Sequence, residues 1–572
     1  MTEAMTDPPP GGRLALRRAL VAALVGVATA GLLWLGAAAL SPLDGLDIAL
    51  LVLFAVALPW TVLGFWNAVI GLLVMRLARD PVAAVFPGIA TVEPGAPIVL
   101  STAILVCIRD EDPRRVIRNL APMLDGLARS GAAARMHVYI LSDTAGGPAA
   151  AAEEAAFAAL PPTSIAVTYR RRSDNAGFKA GNIRDFCETF GARHDIAVVL
   201  DADSVMPAAA VLRLVRVMQA EPRLGILQAL VVGLPAQSAF ARIFQFGMRL
   251  GMRSYTVGSA WWQADCGPYW GHNAALRLQP FIAHCRLPEL PGGRAVLSHD
   301  QVEAVLMRRA GYAVRVLPEE DLGFEENPPT LTEFIRRDLR WCQGNMQYWR
   351  FLLMPRLTPV SRVQLVLAIL MFLGSPAWMA ILVLTTIGAA RAPASFVHPA
   401  QGEWLLAAFL AMWFAPKIAT VADVLARPDL RRGFGGGGRF LLSVAGETVF
   451  SLLLVPIQWF SHTALLLRLP FGGTPAWGAQ ARDAHRVPLV HAALRFWPQT
   501  LTGLASLGVL AVRNPAALPY ALLIAGGLAT AIPLAVISAL PWLGRALARL
   551  GLGRLPEETA PPEVLRALAR HA

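Results

Sequence analysis

Charge is scarce in this sequence of 572 residues: 16% are Asp, Glu, Lys or Arg, while 55% are hydrophobic. So apolar a chain falls outside the ordinary soluble class, and its length allows several domains. Cysteine is scarce too. Cys107, Cys187, Cys266, Cys285 and Cys342 show no C-x-x-C spacing. That excludes the redox and zinc motifs built on it and reads as reduced thiols in a cytoplasmic domain. A folded basic face interleaved with aromatics is also missing. The net charge of +12, from 51 Lys+Arg against 39 Asp+Glu, therefore does not read as nucleic-acid binding. Nothing supplies the second metal cluster that a metal-dependent phosphohydrolase would need.

What is abundant is apolar runs of about 18 residues or more, the length that crosses a hydrocarbon core. They fall near 19–40, 46–75, 360–389, 403–425, 440–467, 496–512 and 517–541. Arg13, Arg17 and Arg18 precede the first run, and Arg76 and Arg79 follow the second. Positive charge marks the cytoplasmic side of a span. The first run exceeds the apolar region of a signal peptide and reads as an uncleaved span. The expected organisation is a cytoplasmic tail (1–18), two transmembrane helices (19–79), a cytoplasmic domain (95–345), an amphipathic helix at the membrane surface (346–357), a transmembrane region (358–541) and a basic cytoplasmic tail (542–572). Seven crossings would leave Arg482, Arg486, Arg495 and the arginines of the last tail outside. The segment 440–467 carries Glu447, Pro456, Gln458 and His462, which are costly in lipid. It is therefore expected as a re-entrant or interfacial element, leaving six crossings.

Between 95 and 345 short apolar runs alternate with helical, charged segments. "IVLSTAILVCIRD", "MHVYILSD", "SIAVTYRRR" and "DIAVVL" read as strands, with helices between them. This alternation predicts a doubly wound, mainly parallel α/β sheet, whose ligands sit outside the carboxyl ends of the strands. Asp143, Asp201 and Asp203 all fall at such ends. The stretch "VVLDADSVM" runs a buried strand into two carboxylates one residue apart. Mg²⁺ or Mn²⁺ bridging to a diphosphate would supply the opposite charge. Taken alone, so short a motif reads more readily as a strand-ending turn.

Further along, "RRRSDNAGFKAGN" offers Lys179 and the pair Gly177 and Gly181, a cation and exposed backbone N–H groups suited to a diphosphate. "LSHDQVEAVLMRRAG" places Asp300 as an N-cap with Glu303 as capping-box partner, or as a base for an attacking hydroxyl. "YWGHNAALR" gathers Trp270, His272 and Asn273, groups that stack on or hydrogen-bond to sugars, or that serve a core turn. In "PPTLTEFIRRDLRWCQGN" a helix starts near Thr330. Arg336 and Arg340 are i,i+4 neighbours on it, as are Arg337 and Trp341. Arginines beside a Trp on one face suit a diphosphate next to a sugar ring.

The strings "YRRRSDNAGFKAGNIRDFC", "VVLDADSVM", "YWGHNAALR", "LSHDQVEAVLMRRAGY" and "EENPPTL…RRDLRWCQGN", in this order between two membrane regions, resemble the processive family-2 glycosyltransferases, a group that includes cellulose synthase. They are most similar to the glucans biosynthesis glucosyltransferase H family. The resemblance implies a GT-A catalytic domain in a polytopic protein of the bacterial inner membrane. It would use UDP-glucose to build the linear β-1,2-linked backbone of osmoregulated periplasmic glucans. By the same resemblance Asp143 contacts the nucleotide, and Asp201 and Asp203 bind nucleotide and metal. Lys179 lies at the diphosphate and Asp300 is the general base. Arg337, Arg340 and Trp341 match a Q-x-x-R-W motif with Arg in place of Gln. Acyl carrier protein and a periplasmic glucan-modifying protein are partners implied in this way, beside the growing β-glucan chain and membrane lipid. A cellulose-, hyaluronan- or chitin-type synthase is the nearest alternative. A non-catalytic transporter with a nucleotide-sensing domain is a more distant one, since the spans carry few ionisable residues.

Overall fold

The computed structural model describes residues 12–40, 42–391, 397–474 and 481–570. Most of the expected N-terminal tail, 1–11, lies outside them. Nine strands occur: β1 (Thr102–Ile108), β2 (Met136–Ser142), β3 (Ala166–Arg171), β4 (Ile196–Asp201), β5 (Leu224–Ala229), β6 (Val232–Gly233), β7 (Ala274–Arg277), β8 (Ala313–Leu317) and β9 (Phe324–Glu325). Seven form one sheet in the order β3-β2-β1-β4-β7-β5-β8, and β6 pairs with β9 alone. Only β7 runs antiparallel to its neighbours. The expected mainly parallel α/β sheet, inserted between groups of long apolar helices, is what the chain builds.

Strand burial explains the apolar runs. Ile104, Val106, Val138, Ile140, Val198 and Leu200 pack on one face, while Ala103, Leu105, Tyr139, Leu141, Ala197 and Val199 pack on the other. A sheet covered on both faces has no polar side to alternate with. The in-register pairs Ile108↔Ser142 and Cys107↔Asp201 bring the ends of β1, β2 and β4 level. Asp143 and Asp201 thus emerge on one edge.

Among the described residues five helices are long and apolar enough to cross a membrane: Gly12–Ala39, Gly45–Leu77, Pro359–Arg391, Pro399–Ala426 and Gly437–Phe471. The pair Pro515–Ala529 and Ala531–Ser538, bent by 58°, passes the same test as one unit. The expected re-entrant or interfacial segment 440–467 lies within an uninterrupted helix, Gly437–Arg468, so a re-entrant hairpin there is corrected. Both ends of this helix lead to the sheet domain's side. Phe440 packs with Phe246 and Leu555; beyond the other end Arg482 reaches Asp203 at the sheet edge. Its costly groups are paired. Lys417 Nζ donates to Glu447 at 2.7 Å, and Asp338 accepts from Gln458 at 3.1 Å and meets His462 Nε2 at 2.7 Å. The amphipathic helix expected over 346–357 is a short 3-10 segment, Met346–Phe351, with Trp349 and Leu353 exposed beside it. The five cysteines are all free.

Candidate active site at the strand ends

The carboxylates of "DADS" do not lack partners. Asp201 is ion-paired with Lys179, and Asp203 with Arg482, which also donates to Glu111 Oε1 at 2.7 Å. Burial alone would raise Asp201; Lys179, then His272 and Arg482, outweigh it and hold the group down at about 2. Lys179 and Lys417 are the two lysines of the sequence, and both meet carboxylates. Lysine is a compact point charge on a flexible stem, and Lys179 Nζ also donates to the Gly271 carbonyl at 2.7 Å. The helix that carries it, Phe178–Thr189, begins earlier than the sequence suggests, directly after Gly177 at φ +71. Gly181 fits because a Cβ there would overlap the Ala176 carbonyl oxygen.

Asp143 is buried and gripped by Arg172, whose Nη2 donates to Oδ2 at 2.9 Å. Asp300 does not cap its helix. The N-cap is His299, and Asp300 is the first helical residue of Asp300–Arg309. The capping box expected for Glu303 is corrected as well: its carboxylate lies 2.8 Å from His299 Nδ1, with both residues buried. Asp300 is thereby free of the structural role that competed with catalysis. It lies against Gly271 (φ +81), where a Cβ would stand 3.4 Å from that of Asp300. Burial would lower Lys179, but carboxylates including Asp201 and Asp300 raise it. The base candidate and Asp201 thus both act on one cation, while Asp203 has Arg482.

Thr330 caps the helix Leu331–Asn345, accepting from Glu333 N at 3.3 Å. Arg336 pairs with Glu333. The Arg337 guanidinium lies 4.8 Å from the Trp341 ring centroid and its buried Nε meets no hydrogen-bond partner. Burial lowers Arg337, opposed by Glu325 and Asp203. Arg340 is lowered by burial and then by Arg336, Arg337 and Arg482. Guanidinium groups crowded like this favour an anion among them. The Trp341 ring is 48% exposed.

The "YWGHN" residues divide. Trp270 is partly buried, with its backbone N–H on Gln228 Oε1 at 2.8 Å. His272 Nε2 is 3.6 Å from Glu325, and its Nδ1 is buried without a partner. Asn273 is fully buried and accepts from Ser204 Oγ at 2.7 Å. Its expected contact with an acceptor is corrected: it holds the D-x-D turn from behind.

Arg172, Glu325 and Arg482 were missed from sequence. Arg172 had a signal, three consecutive arginines ending a strand. Glu325 sits in the quoted "EENPPT" string without a motif role. Arg482 lies 279 residues from Asp203, and no local pattern announces it.

A divalent cation fits these residues. Glu325 is raised by burial and by Asp203 and Asp201, against His272 and Arg337, so three carboxylates lie near one another at this edge. Among the described residues no group of three or more His, Cys, Asp or Glu could hold an ion by itself. That matches a metal bound by one or two carboxylates plus phosphate oxygens.

Comparison with known proteins places this site. Residues 196–417 match the model of glycosyl transferase family group 2. Glucans biosynthesis glucosyltransferase H of Pseudomonas putida (strain W619) is 35% identical over 545 residues, covering 91% of this chain and 63% of that protein. Its namesake in Pseudomonas paraeruginosa (strain DSM 24068 / PA7) is 36% identical, with the same coverage. The chain therefore spans a little under two thirds of the length of these curated relatives. Among solved structures, a mannosyltransferase PcManGT from Pyrobaculum calidifontis, in complex with GDP-Man and Mn2+, aligns with a TM-score of 0.42 and 17% identity over 66% of this chain and 99% of that one. Residues 196–417 are thus similar to glycosyl transferase family group 2, and over nine tenths of its length the chain is similar to glucans biosynthesis glucosyltransferase H.

Proposed function

We propose that this chain is a membrane-embedded inverting glucosyltransferase. It polymerises glucose from UDP-glucose into the linear β-1,2-linked backbone of osmoregulated periplasmic glucans. The observation that carries the reading is the meeting of Asp300, Lys179 and Asp201 around the Gly271 carbonyl. A base, a cation and the metal-binding edge lie within one site in a chain whose relatives bear that name.

Asp203 and Asp201 would hold Mg²⁺ or Mn²⁺, which supplies positive charge to the diphosphate when bound. Asp143 contacts the nucleotide. Asp300 takes the proton from the acceptor hydroxyl as its oxygen attacks the anomeric carbon, and the bond to UDP breaks on the opposite face, inverting the α-linked donor. Lys179, Arg337 and Arg340 stabilise the charge that develops on the departing UDP. Trp341 presents an exposed ring to the acceptor sugar, and Trp270 and His272 are further acceptor-side groups.

Six crossings suit the chain: 12–39, 45–77, 359–391, 399–426, 489–513 and 515–538, with 437–468 lying at the sheet domain's side. The arginines support a cytoplasmic domain at the inner membrane. Arg18 pairs with Asp265 at 2.6 Å, and Arg253, Arg427 and, at 3.9 Å, Arg76 converge on Asp423. The basic ends of several helices thus gather on the domain's side, as the positive-inside rule requires.

The test is radiolabel incorporation by purified membranes offered UDP-glucose, UDP-GlcNAc or UDP-galactose with Mg²⁺, followed by linkage analysis. A β-1,2-glucan from UDP-glucose alone is expected. Another sugar or linkage would replace the product assignment with a different processive synthase. Asp203→Ala is expected to weaken metal-dependent UDP binding by roughly ten- to a hundredfold; an unchanged metal dependence would remove Asp203 from the metal site.

A further inference from the structure

We propose that the C-terminal segment 556–570 is a brace that positions Asp203 and Glu325 from the side opposite the site, with Val564 as its keystone. The inference rests on the reading of Asp203 as a metal–diphosphate ligand. Val564, on the helix Glu563–Arg570, is buried in one cluster with Val205, Val232 and Phe324, and Leu565 and Leu568 pack around it. Val205 and Phe324 are not incidental partners. Val205 lies two residues after Asp203, and Phe324 immediately precedes Glu325. The two exchange backbone hydrogen bonds in both directions, 2.8 and 2.9 Å long. Successive side chains of an extended segment point to opposite faces. Phe324 accordingly turns to Val564 while Glu325 turns to His272. Loosening the apolar side would let both carboxylates move together.

The brace is anchored before it arrives. Arg242, on the helix Ala239–Gln263, is almost fully buried. It donates to the Leu552 carbonyl at 2.7 Å and to both oxygens of Glu558 at 2.7 and 3.1 Å. Arg249 donates to Glu557 at 3.0 Å. The Gly553 amide donates to Ser443 Oγ at 2.9 Å. These bonds tie the segment to the helices Ala239–Gln263 and Gly437–Arg468, so the 563–570 helix is delivered to one place. Its remaining polar tie, Arg129 with Glu563 at 3.5 Å, is exposed and adds little. Contact with the catalytic turn therefore depends on the apolar residues, and Val564 is the one at its centre.

The test uses the full chain in detergent and the variant Val564→Asp, with Val564→Ile as the conservative control. One readout is hydrogen exchange of the amides at 203–206 and 323–325 without ligand. The other is UDP affinity measured with Mn²⁺ and with a chelator. In Val564→Asp, exchange at both stretches should speed up, and the Mn²⁺-dependent affinity should fall about tenfold, as loss of an outer-shell support does. Affinity in chelator should stay put, and Val564→Ile should behave as wild type. A chain ending at Pro561, which keeps Glu557 and Glu558, repeats the test if the charged variant unfolds. Unchanged exchange and unchanged Mn²⁺-dependent affinity in both variants would overturn the brace. Exchange that responds while wild-type UDP affinity ignores Mn²⁺ would uphold the support of the turn and reject its link to a metal.

Discussion

The two halves of the proposed catalytic site, donor and acceptor, are built on different plans. The donor half, from β1 through the D-x-D turn, sets its carboxylates by strand register: Asp143 follows β2, and Asp201 ends β4, level with Cys107 of β1. Two of its counter-charges, Arg172 and Lys179, come from within 30 residues of the groups they hold. The acceptor half, from "YWGHN" through the helix Leu331–Asn345, has no such frame. Its sheet strand is the antiparallel β7, and its helix is gripped from outside the domain, by Gln458 and His462 on Asp338. The difference teaches where each half is vulnerable. Apart from Asp203, which Arg482 and the C-terminal segment reach from afar, the donor half should fail by loss of individual charges, and the acceptor half by loss of a distant support.

The largest expected effect separates chemistry from donor binding. Asp300→Asn keeps size and shape but removes the base. Transfer should fall by roughly 10² to 10⁴ while UDP affinity with Mn²⁺ stays near wild type. Steady-state turnover beside a UDP titration checks this. Turnover near wild type would remove Asp300 from the proton transfer; a parallel loss of UDP affinity would move it to the donor half.

Next comes the support. His462→Ala leaves Asp338 buried with Gln458 alone. Losing a hydrogen bond to a buried carboxylate costs about 1.5–3 kcal/mol, and the helix carrying Arg337, Arg340 and Trp341 should loosen with it. Thermal unfolding in detergent should show the loss, with UDP affinity much less affected than turnover. A variant as stable as wild type, or one that loses UDP affinity first, would erase the proposed separation between the halves.

Legibility follows the same divide. Asp143, Lys179, Asp201 and Asp203 were readable because strand ends and a glycine-bounded helix start are local patterns. Asp300 was readable as a residue but not in its role, since "SHDQVE" spells a capping box as well as a base. The geometry removes the capping reading, by moving the cap to His299 and turning Glu303 to that imidazole, and leaves the base as the proposal. Asn273 was misread because burial on the far side of the turn leaves no trace in a string of sugar-friendly residue types. Arg482 and Val564 were invisible for a third reason. Each acts across hundreds of residues, and chain separation carries no periodicity. Among the long apolar helices, length named the helices themselves, but length and composition alone do not say which of them cross.

The smallest effect reverses sign between the halves and so tests the comparison with one variable. His194, behind the donor half, lies 2.8 Å from Ser101 Oγ and 2.9 Å from the Tyr139 hydroxyl. Burial first, then His137 and Arg193, push it down to about 4 from 6.5. The fold thus prefers it neutral, so its contribution is complete above the unfolded value and is lost as pH falls toward 4. The loss is roughly 3 kcal/mol at most. His299, in the acceptor half, is pushed down by burial but raised overall by Glu303. Its contribution is complete below 6.5 and fades as pH rises through its folded value. Thermal unfolding across pH should therefore show an acid decline that His194→Asn flattens and an alkaline decline that His299→Asn flattens. If one substitution flattened both limbs, the halves would share a single titrating core, and the division drawn between them would not describe the folded protein.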